Sequence, residues 1–281
     1  MIIAIASGKG GTGKTTVSVN LASVFDSAVQ LLDCDVEEPN DHLFLPVTAA
    51  SVETVTIPVP RVDESLCTGC GECSRFCEYH AIVTIGTTPL IFPEMCHGCG
   101  GCIKVCPQNA LTETDRRIGI IEESRAGNIT LRRGTLDVGV AMAPPLIRAV
   151  KAGLNAGSTA ILDAPPGTSC PVIAAIRDSD IVLLVTEPTP FGLHDLTLTV
   201  DMVRELGMAF GVVVNRMGIG DDRVHAYCRA GNIPILAEIP DDRRIAEAYS
   251  RGLLVVDALP EYRRVFERLR DEVTRFCRGE R

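Results

Sequence analysis

Tryptophan is absent from the 281-residue chain, and aromatic residues make up only 4% of it. Proteins that bind single-stranded nucleic acid stack the bases on aromatic side chains, so this composition disfavours that function. Basic residues are outnumbered by acidic ones: the chain has 27 Lys and Arg and 36 Asp and Glu, which gives a formal net charge of −9. Duplex-binding proteins normally carry a basic face, and we therefore expect no nucleic-acid partner.

Long apolar segments are missing as well. No apolar stretch reaches the roughly 18 residues that a membrane-spanning helix needs. Residues 1–7 form a short apolar run that lacks the basic start and the cleavage site of a signal peptide. We expect a cytoplasmic protein without stable membrane insertion. In that compartment the twelve cysteines are expected to bind metal rather than to form disulfides.

Short β-branched runs alternate with helix-like segments along most of the chain. Predicted strands include Ile2–Ala6, Val29–Leu32, Ala160–Leu162, Ile181–Val185 and Gly211–Val214. Buried strands that alternate with helices predict an α/β fold, doubly wound around a mostly parallel sheet.

Residues 61–114 interrupt this alternation with dense Cys and Gly. We predict that they form a small inserted α+β domain, and that residues 1–60 and 115–281 together form the discontinuous α/β domain. Directly after the insertion, Ile118–Glu122 and Asn128–Arg132 are predicted to form a hairpin.

A glycine-rich loop follows the first predicted strand. Residues 8–15 satisfy the pattern G-x-x-x-x-G-K-[ST] between a strand and a helix, which predicts the phosphate loop of a P-loop NTPase that binds ATP or ADP. Lys14 is expected to reach the β- and γ-phosphates, and Thr15 to offer its hydroxyl to Mg²⁺. The predicted nucleotide-binding residues of this loop are Gly8, Gly10, Gly11, Thr12, Gly13, Lys14, Thr15 and Thr16.

Three aspartates follow predicted strands, at the edge where parallel sheets form ligand crevices. A carboxylate there can hold Mg²⁺ through water, which we predict for Asp163, or orient an attacking water, which we predict for Asp35. Asp33 fits a structural role and a role beside the metal equally well. An ordinary turn or helix-cap role remains the alternative for Asp35 and Asp163.

The Cys-rich block contains one internal repeat, because residues 67–82 match residues 96–111 without gaps. Each half carries the spacing Cys-x₂-Cys-x₂-Cys-x₃-Cys, which is the bacterial ferredoxin run for two [4Fe-4S] clusters. The fourth cysteine of such a run ligates the other cluster. The predicted ligand sets are Cys67, Cys70, Cys73 and Cys106 for one cluster, and Cys96, Cys99, Cys102 and Cys77 for the other.

Two structural zinc sites are the alternative for these cysteines. Zinc sites usually pair two Cys-x₂-Cys knuckles across a longer spacer, so four cysteines in eleven residues favour clusters. One departure from the ferredoxin pattern is Glu78, which follows Cys77 where the other half has Pro107 after Cys106. His80 and His97 flank cysteines and are expected to be surface residues.

The phosphate loop, with its extra Lys9, resembles the deviant Walker A motif of the MinD/ParA/nitrogenase-iron-protein ATPases. Residues 31–35 resemble the first switch of that family, and residues 161–169 the second switch of its Mrp branch. The resemblance implies a homodimer around two Mg-ATP, in which Lys9 completes the partner's site. It also implies that Lys9, Lys14 and Asp35 are catalytic and that Asn215, at a strand end, contacts adenine.

Four further cysteines lie outside the repeat. Cys34 and Cys228 are expected to be small buried residues, and Cys277 lies near the chain end. Cys170 stands where nitrogenase-iron-protein-like ATPases carry a ligand of a shared cluster, but a second cysteine of that kind is missing here. The last predicted helix has one apolar face, and we expect it to pack on the sheet rather than on a membrane.

Together these patterns predict a slow, Mg-dependent, partner-stimulated ATPase. We expect its nucleotide state to control electron transfer from the clusters to a redox or metallocofactor partner. Two alternatives remain open, namely an Mrp-like scaffold or carrier for iron–sulfur or metal-cofactor assembly, and a positioning ATPase of the MinD type.

Overall fold

The computed structural model of the protein describes residues 1–279, without the side chains of positions 49 and 50. The chain divides into two compact units. The first unit contains Met1–Val52, Ile121–Thr135 and the chain from Ile147 onward, and the second contains Glu53–Ile120 and Leu136–Leu146. The second unit therefore includes the predicted insertion, residues 61–114, and extends past it on both sides.

The strands of the described residues are β1 (Ile2–Ala6), β2 (Val29–Asp33), β3 (Thr48–Val62), β4 (Ile82–Ile85), β5 (Thr88–Ile91), β6 (Leu111–Ala126), β7 (Ile129–Leu136), β8 (Thr159–Asp163), β9 (Ile181–Thr186), β10 (Phe210–Met217) and β11 (Ile235–Pro240). Nine of them form one sheet in the order β11-β10-β9-β1-β8-β2-β7-β6-β3. The strand pairs from β11 through β7 are parallel. This confirms the predicted α/β fold with a mostly parallel sheet.

The helices of the described residues are α1 (Lys14–Ser23), α2 (Glu72–Phe76), α3 (Gly101–Lys104), α4 (Ala143–Lys151), α5 (Cys170–Ile176), α6 (Pro190–Glu205), α7 (Arg223–Ala230), α8 (Arg243–Ser250), α9 (Val255–Ala258) and α10 (Arg263–Cys277). Strands β2 and β9 are buried at every position, as expected of central strands covered on both faces. Their apolar side chains pack with α1 and α10 into the main core of the first unit.

Helix α10 ends the described chain and packs its apolar face into that core. Phe266, Leu269 and Val273 lie on one face of the helix and are fully buried. This is the packing that the sequence predicted. None of the helices in residues 1–279 combines the length and the apolar character that crossing a bilayer requires.

Strand β3 is a part of the sheet that the sequence did not predict. It lies at the sheet edge, and alternate residues Val55, Ile57 and Val59 are buried. Pro58 and Pro60 hide this alternation, because proline normally argues against a strand and is tolerated only at an edge or a bulge. Strand β6 is the neighbour of β3 in the sheet. It is joined to β7 by a two-residue turn at the predicted hairpin, and both β6 and β7 are longer than predicted.

The second unit repeats a small motif. Helices α2 and α3 each begin after a glycine in the left-handed conformation, Gly71 at φ 76° and Gly100 at φ 69°. Strands β4 and β5 form a separate antiparallel hairpin in this unit. Its compact core consists of Cys73, Ile82, Cys102 and Leu111.

Candidate functional site

The loop between β1 and α1 has the backbone geometry of a phosphate-binding loop. Gly11 and Gly13 adopt φ values of 78° and 94°, which favour glycine. A Cβ atom added at Gly10 or Gly11 would meet no atom within 4 Å, so open space lies beside the loop. The hydroxyl of Thr12 is buried and has no hydrogen-bond partner among the described residues. The loop therefore has both the room and an unused polar group for a bound phosphate.

Asn215, at the end of β10, holds this loop in place. Its side-chain amide donates a 2.7 Å hydrogen bond to the carbonyl oxygen of Thr12. Only 8% of Asn215 is exposed, and a Cβ atom at Gly13 would approach its amide nitrogen to 2.3 Å. The close fit explains why glycine is required at position 13. The contact with adenine that the resemblance implies for Asn215 stays a prediction.

The carboxyl ends of β2 and β8 bring the predicted Mg²⁺ residues together. Asp33 and Asp163 are neighbours in the strand register, and both are buried. The hydroxyl of Thr15 donates a 2.8 Å hydrogen bond to Oδ2 of Asp163, while Oδ1 of Asp163 has no partner among the described residues. Thr15 and Asp163 thus lie in contact, as a shared cation would require, and their binding of Mg²⁺ stays a prediction.

Asp33 has a structural role in the loop that follows β2. Its carboxylate accepts hydrogen bonds from the backbone N–H groups of Asp35 at 3.2 Å and of Asp41 at 3.1 Å. Burial, with the negative charge of Asp163 beside it, raises the pKa of Asp33 well above its ordinary value. Of the two roles that the sequence left open for Asp33, these bonds support the structural one.

Asp35 is half-buried beside the phosphate loop. Burial raises the pKa of Asp35 to about 7, although the positive charge of Lys14 acts in the opposite direction. Lys14 itself is 7% exposed. A carboxyl that changes charge near neutral pH can accept a proton from a water molecule, which suits the predicted catalytic role.

Lys9 has a partner that the sequence did not predict. Its ammonium nitrogen lies 3.2 Å from Oε2 of Glu187, which follows β9. Arg216 binds the other oxygen of the same carboxylate at 2.7 Å. The Glu187 side chain is 7% exposed and therefore holds two cations beside the phosphate loop. No sequence pattern marks Glu187, because it belongs to the turn between β9 and α6.

Asp41 is a second residue that sequence reasoning missed. It begins a short 3₁₀ turn, Asp41–Leu43, and is fully buried. Neither of its carboxyl oxygens has a hydrogen-bond donor among the described residues. Burial and the charges of Asp33 and Asp163 raise the pKa of Asp41 well above its ordinary value. Buried carboxyls without donors are rare, because losing hydration is costly.

The eight cysteines of the repeat line two separate cavities in the second unit. One cavity is lined by Cys67, Cys70, Cys73 and Cys106. The other is lined by Cys77, Cys96, Cys99 and Cys102. Each cavity thus combines three thiols from one half of the repeat with the fourth thiol of the other half. The cysteine spacing predicted that the two halves exchange their fourth cysteine in this way. The roles of the cysteines as cluster ligands remain predictions.

Backbone geometry adapts both cavities to a bulky group. Gly69, Gly71, Gly98 and Gly100 all have φ values between 65° and 76°, so the two halves repeat the same turns. Backbone N–H groups already point at sulfur, from Gly98 to Cys96 at 3.4 Å and from Ala110 to Cys106 at 3.3 Å. Within residues 1–279, no three Cys, His, Asp or Glu side chains converge on the position of one metal ion. Instead, four cysteines line each of the two cavities.

The remaining flagged residues lie apart from the two cavities or at their rims. Cys34 and Cys228 are buried and Cys170 is exposed at the start of α5. Both His80 and His97 are exposed, as predicted. The ring of His97 stacks on that of Tyr79 with centroids 3.5 Å apart, and both residues line the cavity that contains Cys96.

Comparison with known proteins places the chain in a family. Residues 3–255 match the CobQ/CobB/MinD/ParA nucleotide binding domain. An uncharacterised protein of Methanocaldococcus jannaschii is 33% identical over 263 residues, which cover 90% of each chain. An iron–sulfur cluster carrier protein of Synechocystis is 25% identical over 281 residues, which cover 92% of this chain and 65% of that protein.

Solved structures agree on the fold. The septum site-determining protein MinD of Pyrococcus horikoshii, solved with Mg-ADP, superposes with a TM-score of 0.61 at 23% identity. The match covers 100% of this chain and 98% of MinD. The chain therefore belongs to the CobQ/CobB/MinD/ParA family of nucleotide-binding domains.

Proposed function

We propose that the protein is an Mg-dependent ATPase that carries two [4Fe-4S] clusters and passes electrons to a redox or metallocofactor partner under control of its nucleotide state. The observation that carries the proposal is the division of the eight repeat cysteines between two cavities, each with one thiol from the opposite half. The match to a family of nucleotide-binding domains supports the nucleotide-dependent half of the proposal.

The second unit is proposed as a ferredoxin-type module, with the predicted insertion, residues 61–114, as its centre. Cys67, Cys70, Cys73 and Cys106 would hold one cluster, and Cys96, Cys99, Cys102 and Cys77 the other. Such clusters, when bound, supply one-electron transfer. The spacing favours clusters over zinc, because each half has four cysteines within eleven residues, whereas zinc sites usually pair two Cys-x₂-Cys knuckles across a longer spacer.

The first unit would bind ATP through the backbone N–H groups of the phosphate loop and the ammonium of Lys14. Thr15 and Asp163, which are already in contact, would hold Mg²⁺, whose charge offsets that of the phosphates. Asp35 would orient the attacking water. Two chains would face each other across the nucleotides, and Lys9 would leave Glu187 to reach the partner's nucleotide.

Nucleotide control of electron transfer can be measured with the holoprotein. The dithionite-reduced protein would be mixed without oxygen with cytochrome c, in the presence of ATP, ADP or no nucleotide. We expect the rate of cluster oxidation to differ between ATP and ADP, and Lys14→Ala to remove that difference while its clusters remain. Equal rates in all three conditions would contradict nucleotide control, whereas a protein without clusters would contradict the redox function itself.

A role in cluster assembly is the second candidate. Two further relatives are iron–sulfur cluster carrier proteins. The one from Aquifex aeolicus is 25% identical over 92% of this chain and 63% of that protein, and the one from Rickettsia typhi is 30% identical over only 35% of this chain and 32% of that protein. A carrier would release radiolabelled iron to an apo-ferredoxin within minutes, as measured after separation of the two proteins. We expect little release here, because four thiols surround each cavity.

A further inference from the structure

No hydrogen bond of the Asp41 side chain explains why this side chain is buried. Its backbone N–H donates to Oδ2 of Asp33 at 3.1 Å, so the main chain is fixed at this point. Its side chain is completely buried, and within residues 1–279 no donor reaches either carboxyl oxygen. A structural aspartate at a turn would normally accept such bonds. The carboxyl group therefore either shares a proton with a neighbouring acidic side chain or binds a cation that comes from outside the chain.

The carboxyl group of Asp41 faces that of Asp163. The backbone N–H of Asp41 is bonded to Asp33, whose neighbour in the strand register is Asp163, and the charge of Asp163 contributes to the raised pKa of Asp41. Asp163 is 2% exposed, and its Oδ1 is also without a donor among the described residues. Two neighbouring buried carboxylates repel strongly, so either a proton or a cation must lie between or beside them.

The surroundings favour a cation that arrives with phosphate. Mg²⁺ is usually held by one or two carboxylates together with phosphate oxygens and water. Thr15 of the phosphate loop already bonds to Asp163, so both carboxyls lie beside the phosphate side of the site.

We propose that Asp41 is a positioning residue for the divalent cation, which it holds together with Asp163 when a nucleotide is bound. The proposal rests on the Mg-nucleotide site proposed above. It also links the cation to the loop that carries Asp35, because residues 34–40 lie between Asp33 and Asp41. The backbone N–H of Cys34 donates to the carbonyl of Asp163 at 2.9 Å and ties the other end of this loop to the same site.

The test measures cation binding rather than ATP turnover. The affinity for ADP is determined by calorimetry in EDTA and in millimolar Mg²⁺, and the ratio of the two dissociation constants gives the gain due to the cation. Asp41→Asn keeps the size of the side chain and removes its charge. Glu38→Gln is the matched control, because it removes one exposed charge from the same loop.

We expect Asp41→Asn to lower the Mg²⁺ gain by about 10- to 100-fold, the usual effect of losing a supporting metal contact, and to leave the affinity in EDTA unchanged. Glu38→Gln should keep the full gain. If Asp41 only shares a proton with Asp163, the asparagine amide can donate the same hydrogen bond and the gain will be unchanged, which overturns the proposal.

A second variant covers the case in which Asp41→Asn does not fold. Asp41→Ser removes the carboxylate and leaves room for a water molecule, and the same loss of the Mg²⁺ gain is expected. Mn²⁺ titration followed by EPR gives the affinity for the cation directly. A wild-type protein whose ADP affinity is the same with and without Mg²⁺ would contradict the Mg-nucleotide site itself, which separates that failure from a failure of the Asp41 role.

Discussion

The side-chain amide of Asn215 allows a quantitative test of how the phosphate loop is held. Asn215→Ala removes the 2.7 Å hydrogen bond to the buried carbonyl of Thr12. Loss of the donor to a buried acceptor costs about 1–3 kcal/mol. We expect the free energy of unfolding of the nucleotide-free protein to fall by that amount, as measured by urea denaturation followed by circular dichroism.

Phosphate affinity provides the second readout of the same variant. A loop that Asn215 no longer holds must be ordered by the ligand, so up to the same free energy is lost from binding. This corresponds to a dissociation constant about 5- to 150-fold higher. Because the hydrogen bond is made to the loop, calorimetry should show the same factor for Mg-ATP and for Mg-pyrophosphate, which has no base.

Gln30→Ala is the matched control. Gln30 is also a buried amide, 5% exposed, which donates to the carbonyl of Gly153 at 2.9 Å and accepts from the N–H of Asn155 at 2.7 Å. It should destabilise the fold by a similar amount and leave both affinities unchanged. If Asn215→Ala weakens Mg-ATP alone, the anchoring argument is refuted and the contact with adenine is supported.

Three further variants test other parts of the site. Burial raises the pKa of Asp35 from 3.8 to about 7, so this group should stabilise the nucleotide-free protein most below pH 4. Between pH 4 and pH 7 the free energy of unfolding should fall by at most about 1.4 kcal/mol per pH unit. Denaturation curves of Asp35→Asn should show a weaker dependence of the free energy of unfolding on pH, and the same dependence in both proteins would refute this. Cys106→Ala should remove the cluster that Cys67, Cys70 and Cys73 share with it and leave the other cluster, so that the EPR signal of the reduced protein falls by about half. Cys277 lies outside both cavities, and Cys277→Ala should keep the full signal. Gly13→Ala should abolish binding of Mg-ATP, because φ at this position is 94° and the added Cβ atom would lie 2.3 Å from Asn215. At Gly10 a Cβ atom would meet nothing within 4 Å, so the stability of Gly10→Ala should lie within about 0.5 kcal/mol of that of the wild type.

The sequence predicted the features of the molecule that depend on residues close together in the chain. The buried β-branched runs predicted the parallel strands, and the spacing of the cysteines predicted how their thiols divide between two cavities. Each of these depends on residues a few positions apart, or on a repeat that can be aligned without gaps. Local patterns of this kind can be recognised in the sequence without knowledge of the tertiary contacts.

The features that the sequence did not predict depend on contacts between distant segments. Asp41 and Glu187 belong to turns, where no periodicity marks a buried acidic residue. The partner of Asp41 is Asp33 at the end of β2, and those of Glu187 are Lys9 of the phosphate loop and Arg216 of β10. Asn215 was assigned to adenine by resemblance, whereas its amide bonds to the phosphate loop some 200 positions earlier in the chain. Strand β3 was hidden by two prolines that only an edge position tolerates.

Counting the metal in protein purified without oxygen tests the central claim most directly, because the proposed function depends on what the two thiol-lined cavities hold. Iron and acid-labile sulfide would be determined per chain, together with zinc. We expect about eight irons and eight sulfides per chain, a brown colour and, after reduction, the low-temperature EPR signal of interacting [4Fe-4S] clusters. A colourless protein that contains zinc and no iron would contradict the account.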